Sequence, residues 1–212
     1  MTMSFETPAF EAALTELLRW RRDVRSFRSD PIAEADIQAL LQTAQLAPSV
    51  GLSQPWRFVR VRSQPVRAAV RACFERCNAE ALAGYCGEDA ALYAKLKLSG
   101  LDQAPVQIAV FCDHEVETGR GLGRRTMPET TDFSVVAAVH TLWLATRAKG
   151  IGMGWVSILD PDEIAATLSV PEGWRLIAYL CLGWPVADHE HPELQHAGWE
   201  HRQSLETVLI ER

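Results

Sequence analysis

The sequence predicts an α+β fold in which helices flank a central mixed sheet. Helical patterns outnumber strand patterns, and only some connections between strands are long enough for the crossover that parallel pairing requires. A length of 212 residues with 48% hydrophobic residues is enough for one sizeable core and short for two. We therefore expect residues 1–212 to form a single domain.

Two helices are predicted at the start of the chain. Apolar residues recur at helical spacing over residues 8–20, which indicates an amphipathic helix. For the second helix we predict Asp30 as the N-cap, Pro31 in the first turn, an apolar stripe through Leu40 and an end before Pro48. Each helix would turn one apolar face to the core.

A strand, two helices and a second strand are predicted next. Residues 56–62 include β-forming residues and an alternation of apolar and charged side chains, which favours a strand. Residues 65–83 carry an apolar stripe at helical spacing, and a shorter helical pattern covers residues 89–98. The almost wholly apolar run 106–112 is typical of a buried strand.

The second half begins with a segment that shows no period. Residues 113–130 contain three glycines and several charges, which indicates a loop or lid. A wide apolar face predicts a central helix over residues 132–149, ending at Gly150. The remaining predicted elements are a strand at 152–159, a helix capped by Asp160 and ending near Leu168, a strand at 175–182 and a polar tail over about 186–212.

Composition and charge exclude several classes of protein. A formal net charge of -6 argues against a broad surface that neutralises nucleic-acid phosphates. The N-terminal residues lack the pattern of a secretory signal, and no apolar run approaches the ~20 residues needed to span a bilayer. We expect a cytoplasmic protein with no nucleic-acid or membrane partner, whose five cysteines stay reduced.

Arginines crowd the end of the first predicted helix. Arg21, Arg22 and Arg25 lie within five residues of one another. Guanidinium groups bind phosphate through charge-assisted hydrogen bonds, although cations at a helix C-terminus also offset the helix dipole. Spacing alone favours neither interpretation.

A second segment combines small residues with hydrogen-bonding groups. Ser49, Gly51 and Ser53 let backbone amides approach a planar ligand, and the Gln54 amide can both donate and accept hydrogen bonds at a ring edge. An ordinary connection between a helix and a strand would look similar. The alternative therefore stays open for this segment taken alone.

Together these two segments resemble the motifs of nitroreductase-like flavoproteins. Arg-Arg-Asp-Val-Arg-Ser-Phe at 21–27 resembles the family's first FMN motif, and the segment 48–56 resembles its second. Two positions depart from the usual pattern, since Asp23 replaces a serine and Leu52 replaces an asparagine. With Gly-Trp-Val-Ser-Ile at 154–158, the segments closely resemble the BluB-type 5,6-dimethylbenzimidazole synthase branch.

This resemblance implies the nitroreductase-like fold, an intertwined homodimer and FMN bound at the subunit interface. It implies that reduced FMN is the substrate and reacts with dioxygen. The flavin would be fragmented to 5,6-dimethylbenzimidazole, the lower ligand of vitamin B12, and erythrose 4-phosphate. NAD(P)H would act only indirectly, through a separate flavin reductase that supplies reduced FMN.

The resemblance also implies roles for individual residues. Asp23 and Ser157 would be catalytic, the first accepting protons and the second hydrogen-bonding the ring. A lid over about 83–128, with Leu98 reaching the flavin, would exclude water. The implied FMN-binding residues are Arg21, Arg22, Asp23, Val24, Arg25, Ser49, Gly51, Ser53, Gln54, Leu98, Ser157 and Arg202. Asp23 as a mere counter-charge and Ser157 as an ordinary strand residue remain alternatives.

Other interpretations receive less support. The glycine-rich run 119–123 neither clearly follows a strand nor opens a helix, so it fails the condition for a Rossmann motif. The tail histidines lack zinc-ligand spacing, and we predict no metal site. The alternative activity is an NAD(P)H-dependent FMN nitroreductase or flavin reductase, and the non-enzymatic alternative is a flavin carrier or sensor.

Overall fold

A computed structural model describes residues 6–212. Its helices and strands alternate irregularly, as an α+β fold requires. In chain order they are α1 (Pro8–Trp20), α2 (Glu34–Ala44), β1 (Trp56–Arg60), α3 (Gln64–Ala83), α4 (Gly87–Tyr93), β2 (Val106–Asp113), α5 (Thr130–Ala148), β3 (Gly152–Val156), α6 (Pro161–Thr167), β4 (Trp174–Gly183), α7 (Glu193–His196) and α8 (Leu205–Val208).

The four strands form one sheet in the order β1-β2-β4-β3, and all three strand pairs are antiparallel. The sequence predicted a mixed sheet, but the one parallel pairing within residues 6–212 is an isolated bridge between Asp23 and Met153. This bridge lies on the free edge of β3. A segment outside the named strands therefore covers that edge.

Helices cover both faces of the sheet. Alternating residues of β2 point to opposite sides, so Ile108 and Val110 pack with α2 and α5, whereas Ala109 and Phe111 pack with α3 and α6. The helix α5 carries the residues that the sequence assigned to the central helix, and Leu142 is fully buried. The α+β class is confirmed, and each face of the sheet carries its own hydrophobic cluster.

The predicted start of α2 is wrong. The helix begins at Glu34, its N-cap residue is Ala33, and no side chain caps it. Asp30 instead pairs with Arg28 at 2.9 Å. Because Ile32 is buried in the core, the chain stays extended past the predicted cap before it turns into the helix.

Several other boundaries differ from the predictions. The helix expected over 89–98 ends at Tyr93, so Leu98 lies outside it. The strand expected over 152–159 ends at Val156, which leaves Ser157 just beyond the strand. In contrast, Asp160 caps α6 as predicted, and its carboxylate accepts hydrogen bonds from two backbone N–H groups at 3.0 Å.

The chain after β4 makes two short helices and ends with exposed apolar side chains. Leu205, Val208 and Ile210 are each more than half exposed. No helix within residues 6–212 has both the length and the apolar character needed to cross a membrane. Of the residues 113–130 predicted as a loop, 114–129 contain turns and no helix or strand, whereas Asp113 ends β2 and Thr130 begins α5.

Candidate flavin phosphate site and its surroundings

The segment 23–25 lies along the free edge of β3. The Val24 N–H donates to the Met153 carbonyl at 3.0 Å, and the Trp155 N–H donates to the Asp23 carboxylate at 2.9 Å. A Cβ on Gly154 would lie 2.2 Å from the Val24 carbonyl oxygen. Glycine at 154 is therefore the feature that lets the arginine-rich segment approach the strand.

Phe27 anchors the other end of this segment. Its ring is buried, and a Cβ on Gly100 would lie 2.3 Å from it. Gly183, at the end of β4, is similarly close, with 2.9 Å from an added Cβ to the ring. The aromatic residue that ends the first motif thus fixes the motif between two close-packed glycines.

Asp23 and Arg25 bind each other. The Arg25 Nε donates to the Asp23 carboxylate at 2.8 Å, and the Arg25 guanidinium also donates to the Lys97 carbonyl at 2.8 Å. The Arg25 side chain is only 12% exposed. We conclude that Arg25 holds Asp23 and the segment around Lys97 in place and has little freedom to bind an anion.

Arg21, Arg22 and Arg202 form no salt bridge among residues 6–212, and the Arg22 guanidinium donates to the backbone carbonyls of Arg19, Arg21 and Glu190. Burial lowers the pKa of Arg21. The negative charge of Asp23 opposes this shift, and the positive charge of Arg202 lowers the pKa further. Burial likewise lowers the pKa of Arg22, with Arg202 as the next cause. Three like charges close enough to act on one another are stabilised by a bound anion.

Of these three arginines, Arg22 lines a cavity of about 280 Å³. The cavity is lined by α1, the first motif, α5, the start of β3 and residues 186–193 of the tail. Trp143 connects these parts, because its Nε1 donates to the Arg22 carbonyl at 3.1 Å and its ring lies 4.6 Å from the Arg21 guanidinium carbon. Sequence reasoning placed Trp143 on the core face of α5 and missed this second contact.

The second motif lies toward the other end of α5. The Val50 N–H donates to the Ser134 hydroxyl at 3.0 Å, whereas the first motif contacts Trp143 on the same helix. Nine residues of helix separate these contacts by roughly 13 Å. None of residues 49–54 lines the cavity beside Arg22. Within one chain the two motifs do not meet.

The second motif nevertheless keeps the features of a ligand site. The Ser53 hydroxyl is buried without a hydrogen-bond partner among residues 6–212. Gly51, with a φ of 58°, lies in a tight turn, and Gln54 is exposed. The Ser49 hydroxyl accepts from the Gln54 N–H at 3.1 Å. An unpaired buried hydroxyl is costly, so it points to a missing polar partner.

Leu98 and Ser157 lie toward the end of the edge that the first motif approaches. The segment 23–25 runs parallel to β3, toward the strand end that Ser157 follows. Leu98 is next to Lys97, whose carbonyl binds Arg25. Ser157 is exposed, and Leu98 is partly buried. The β3 edge therefore extends from the unpaired arginines toward these two residues.

The fold and this edge define a class of protein. An α+β domain that gathers three arginines without salt bridges near its edge strand, one of them lining a cavity, has the features of a binder of phosphorylated ligands. The model of the Nitroreductase family matches residues 18–184. The chain belongs to the Nitroreductase family.

Its similarity to individual relatives is high over almost the whole chain. A Rhodospirillum rubrum protein named 5,6-dimethylbenzimidazole synthase is 55% identical, with 92% of this chain and 93% of that protein covered. A Rhodobacter capsulatus protein of the same name is 50% identical, with 93% and 95% covered. A crystal structure of oxidized iodotyrosine deiodinase bound to FMN and 3-iodo-L-tyrosine has a TM-score of 0.70 and 26% identity, covering 83% of this chain and 91% of that one.

Proposed function

We propose that this chain fragments reduced FMN with dioxygen to give 5,6-dimethylbenzimidazole and erythrose 4-phosphate. The Rhodospirillum rubrum and Rhodobacter capsulatus relatives support this reaction by name, over more than nine tenths of both chains in each comparison. The structural observation that carries the proposal is the group of Arg21, Arg22 and Arg202, whose charges act on one another without a salt bridge among residues 6–212, with Arg22 lining the cavity along the β3 edge.

The residues present fit FMN at its charged end. A phosphate accepts several hydrogen bonds from guanidinium groups, and such bonds to charged groups stabilise by roughly 1.5 to 3 kcal/mol each. Arg21 and Arg22 would hold the phosphate, with Arg202 completing the charge. Arg25 would act indirectly, by holding Asp23 against β3.

The opposite end of the flavin fits the hydrogen-bonding groups of the second motif. Bound reduced FMN supplies the electrons for dioxygen and is itself the molecule consumed. The Ser53 hydroxyl, which has no hydrogen-bond partner among residues 6–212, and the Gln54 amide would hydrogen-bond to the edge of the flavin ring. The Ser157 hydroxyl would exchange protons with the ring. Val24, packed on Gly152, would form part of the apolar floor.

Because the two motifs do not meet within one chain, we propose that each flavin lies between two copies. One copy would contribute the first motif and the β3 edge, and the other Ser49 to Gln54. The face of α5 between the motifs supports this arrangement, since Phe133 is 56% exposed and Val136 is 40% exposed. The exposed apolar end of the tail would pack on the partner.

Residues 83–128 would form the cover over this site, with Leu98 reaching the flavin. A closed cover keeps water from the reacting flavin and leaves little room for a nicotinamide. Reduced FMN would therefore come from a separate flavin reductase. The Asp23 carboxylate, already bound to Arg25 and to the Trp155 N–H, would take protons at its remaining lone pairs.

The direct test is to mix the protein with chemically reduced FMN, admit air and separate the products. We expect 5,6-dimethylbenzimidazole to appear as the flavin disappears. A nitroreductase or flavin reductase would instead oxidise NAD(P)H and return intact flavin. A flavin carrier would bind FMN and change neither substrate, and either outcome would exclude the proposed reaction.

An Asp23→Asn variant tests the catalytic role of the carboxylate. The amide oxygen can still accept from the Trp155 N–H, but its charge and basicity are lost. We expect benzimidazole formation to fall roughly 100-fold or more, as for loss of an acid–base group, with a much smaller change in FMN affinity. The control is Asp30→Asn at the exposed pair with Arg28. Equal rates for both variants would rule out this role.

A further inference from the structure

We propose that the 113–130 loop forms a second anion site, which binds a small phosphate dianion. A cavity of about 600 Å³ lies here, away from the cavity beside Arg22. Three arginines are among its lining residues, which are His114, Arg120, Gly121, Arg124, Arg125, Pro128 and Thr131. Most of its lining residues belong to the proposed cover 83–128, but neither the motifs nor the proposed reaction assigns this cavity a ligand.

The arginines of this cavity lack carboxylate partners. Across residues 6–212, Arg120, Arg124 and Arg125 form no ion pair, and Arg124 donates to the Val116 carbonyl. Two other exposed arginines do pair, Arg62 with Glu34 and Arg71 with Glu75. In a chain with a formal charge of -6, carboxylates are in excess. Three unpaired guanidinium groups around one cavity are therefore a selective arrangement that an anion would stabilise.

The backbone of the loop adopts left-handed conformations next to these side chains. Gly119, Arg120 and Gly121 have successive φ angles of 87°, 52° and 76°. Arg120 adopts a conformation that is uncommon for a residue with a side chain. A Cβ on Gly121 would lie 2.7 Å from the Arg125 Nε, so glycine at 121 leaves room for that guanidinium group.

The neighbouring groups favour an anion over a metal ion. Cys112, His114 and Asp132 have ligand atoms within 4.8 Å of one another. However, the Asp132 carboxylate already binds His114 at 2.8 Å and Arg175 at 3.1 Å. Burial also raises the pKa of Cys112 to about 12, so its sulfur is a protonated thiol at neutral pH. A metal ion would have to displace His114 and Arg175 from the Asp132 carboxylate, and the neighbouring arginines would repel it.

The cavity is large enough for a phosphate monoester and lies behind the second motif. A Cβ on Gly51 would be 2.9 Å from the Gly119 carbonyl oxygen, and a Cβ on Gly123 would be 2.6 Å from Val50. The loop and the motif are therefore in close contact. An anion that fixes the loop would also fix the turn carrying Ser53. The site itself rests on observations independent of the proposed reaction.

Calorimetric titration with inorganic phosphate at constant ionic strength tests the proposal. We expect two binding sites in the unsubstituted protein. In an Arg120→Ala/Arg125→Ala variant, the site beside Arg22 should remain, and the affinity of the loop site for phosphate should fall roughly tenfold or more. An Arg21→Ala/Arg22→Ala variant should lose the complementary site. The matched control, Arg62→Ala/Arg71→Ala, removes two exposed, paired arginines and should keep both sites.

Circular dichroism would confirm that each variant is folded. If Arg120→Ala/Arg125→Ala does not fold, the milder Arg125→Gln variant is used for the titration instead. Unchanged phosphate binding in folded Arg120→Ala/Arg125→Ala, or in Arg125→Gln used in its place, would overturn the proposal.

Titration with glycerol 3-phosphate then separates two sources of the dianion. Tighter binding than inorganic phosphate indicates a phosphorylated metabolite, and equal binding indicates phosphate itself. FMN titration of Arg21→Ala/Arg22→Ala separately tests the first site, so the two proposals can fail independently.

Discussion

Gly154 shows how a single residue controls the first motif. Its missing side chain lets the Val24 carbonyl lie where a Cβ would be only 2.2 Å away. We expect Gly154→Ala to push the 23–25 segment off β3, weaken FMN binding and reduce the free energy of unfolding by about 1–3 kcal/mol. Urea unfolding and FMN titration would measure these effects.

Gly84→Ala is the matched control for this substitution. Gly84 ends α3 with a φ of -80°, and an added Cβ would be 3.3 Å from the Ala81 carbonyl oxygen. We expect only a small change in unfolding free energy and none in FMN affinity. Equal effects of the two substitutions would show that the close approach at Gly154 does not matter.

Buried thiols predict how stability depends on pH. Burial raises the pKa of both Cys112 and Cys181 from an ordinary 9.0 to about 12. The folded state therefore retains these protons above pH 9, while the unfolded state loses them. Stability is fully present below pH 9 and falls as the pH rises toward 12, by up to about 1.4 kcal/mol per pH unit for each thiol.

Urea denaturation at a series of alkaline pH values would measure this loss. We expect Cys112→Ala to make the decline shallower, because one of the buried protons is removed. Cys86 is exposed, so Cys86→Ser should leave the decline unchanged. A slope that is the same in all three proteins would contradict the assigned cause.

At the level of elements, the tail and α4 meet through three aromatic rings. Tyr85 and Tyr93 stack at 4.8 Å, and Trp199 meets their edges at 5.6 and 6.1 Å. Trp199 lies three residues before Arg202, and Tyr93 lies five before Leu98. This cluster therefore connects the proposed phosphate end to the proposed cover.

We expect Trp199→Ala to loosen α4, because each aromatic pair contributes roughly 0.5–1.5 kcal/mol beyond its buried area. Hydrogen exchange in residues 87–93 should become faster, and FMN affinity should fall. Trp199→Phe keeps an aromatic edge and should show a smaller effect. Unchanged exchange in Trp199→Ala would mean that the cluster does not hold α4.

At the scale of the whole molecule, one face of α5 remains open. Phe133 and Val136 lie three residues apart on a helix whose other faces are buried. Exposed apolar side chains at this spacing favour a helix-packing interface. Their position between the two motifs agrees with the proposed flavin site shared by two copies.

A Val136→Glu substitution should convert a dimer to a monomer and abolish retention of FMN, because it places a charge in the proposed interface. Sedimentation velocity with and without FMN would measure both effects. Ala68→Glu, at an exposed position of α3, is the control and should leave the assembly unchanged. A dimer that persists in Val136→Glu would place the interface elsewhere.

The amino-acid sequence was sufficient to predict the α+β class, the types of the main elements and the family. These properties depend on local signals: helical periodicity defined α5, the cap at Asp160 defined the start of α6, and short motifs carried the family resemblance. The start of α2 depends on tertiary packing, because Ile32 is buried in the core. Tertiary structure also decided that Arg25 binds Asp23, that the two motifs lie apart along α5, and that Arg120, Arg124 and Arg125 surround a cavity. Such relations join residues distant in sequence, and packing fixes their distances.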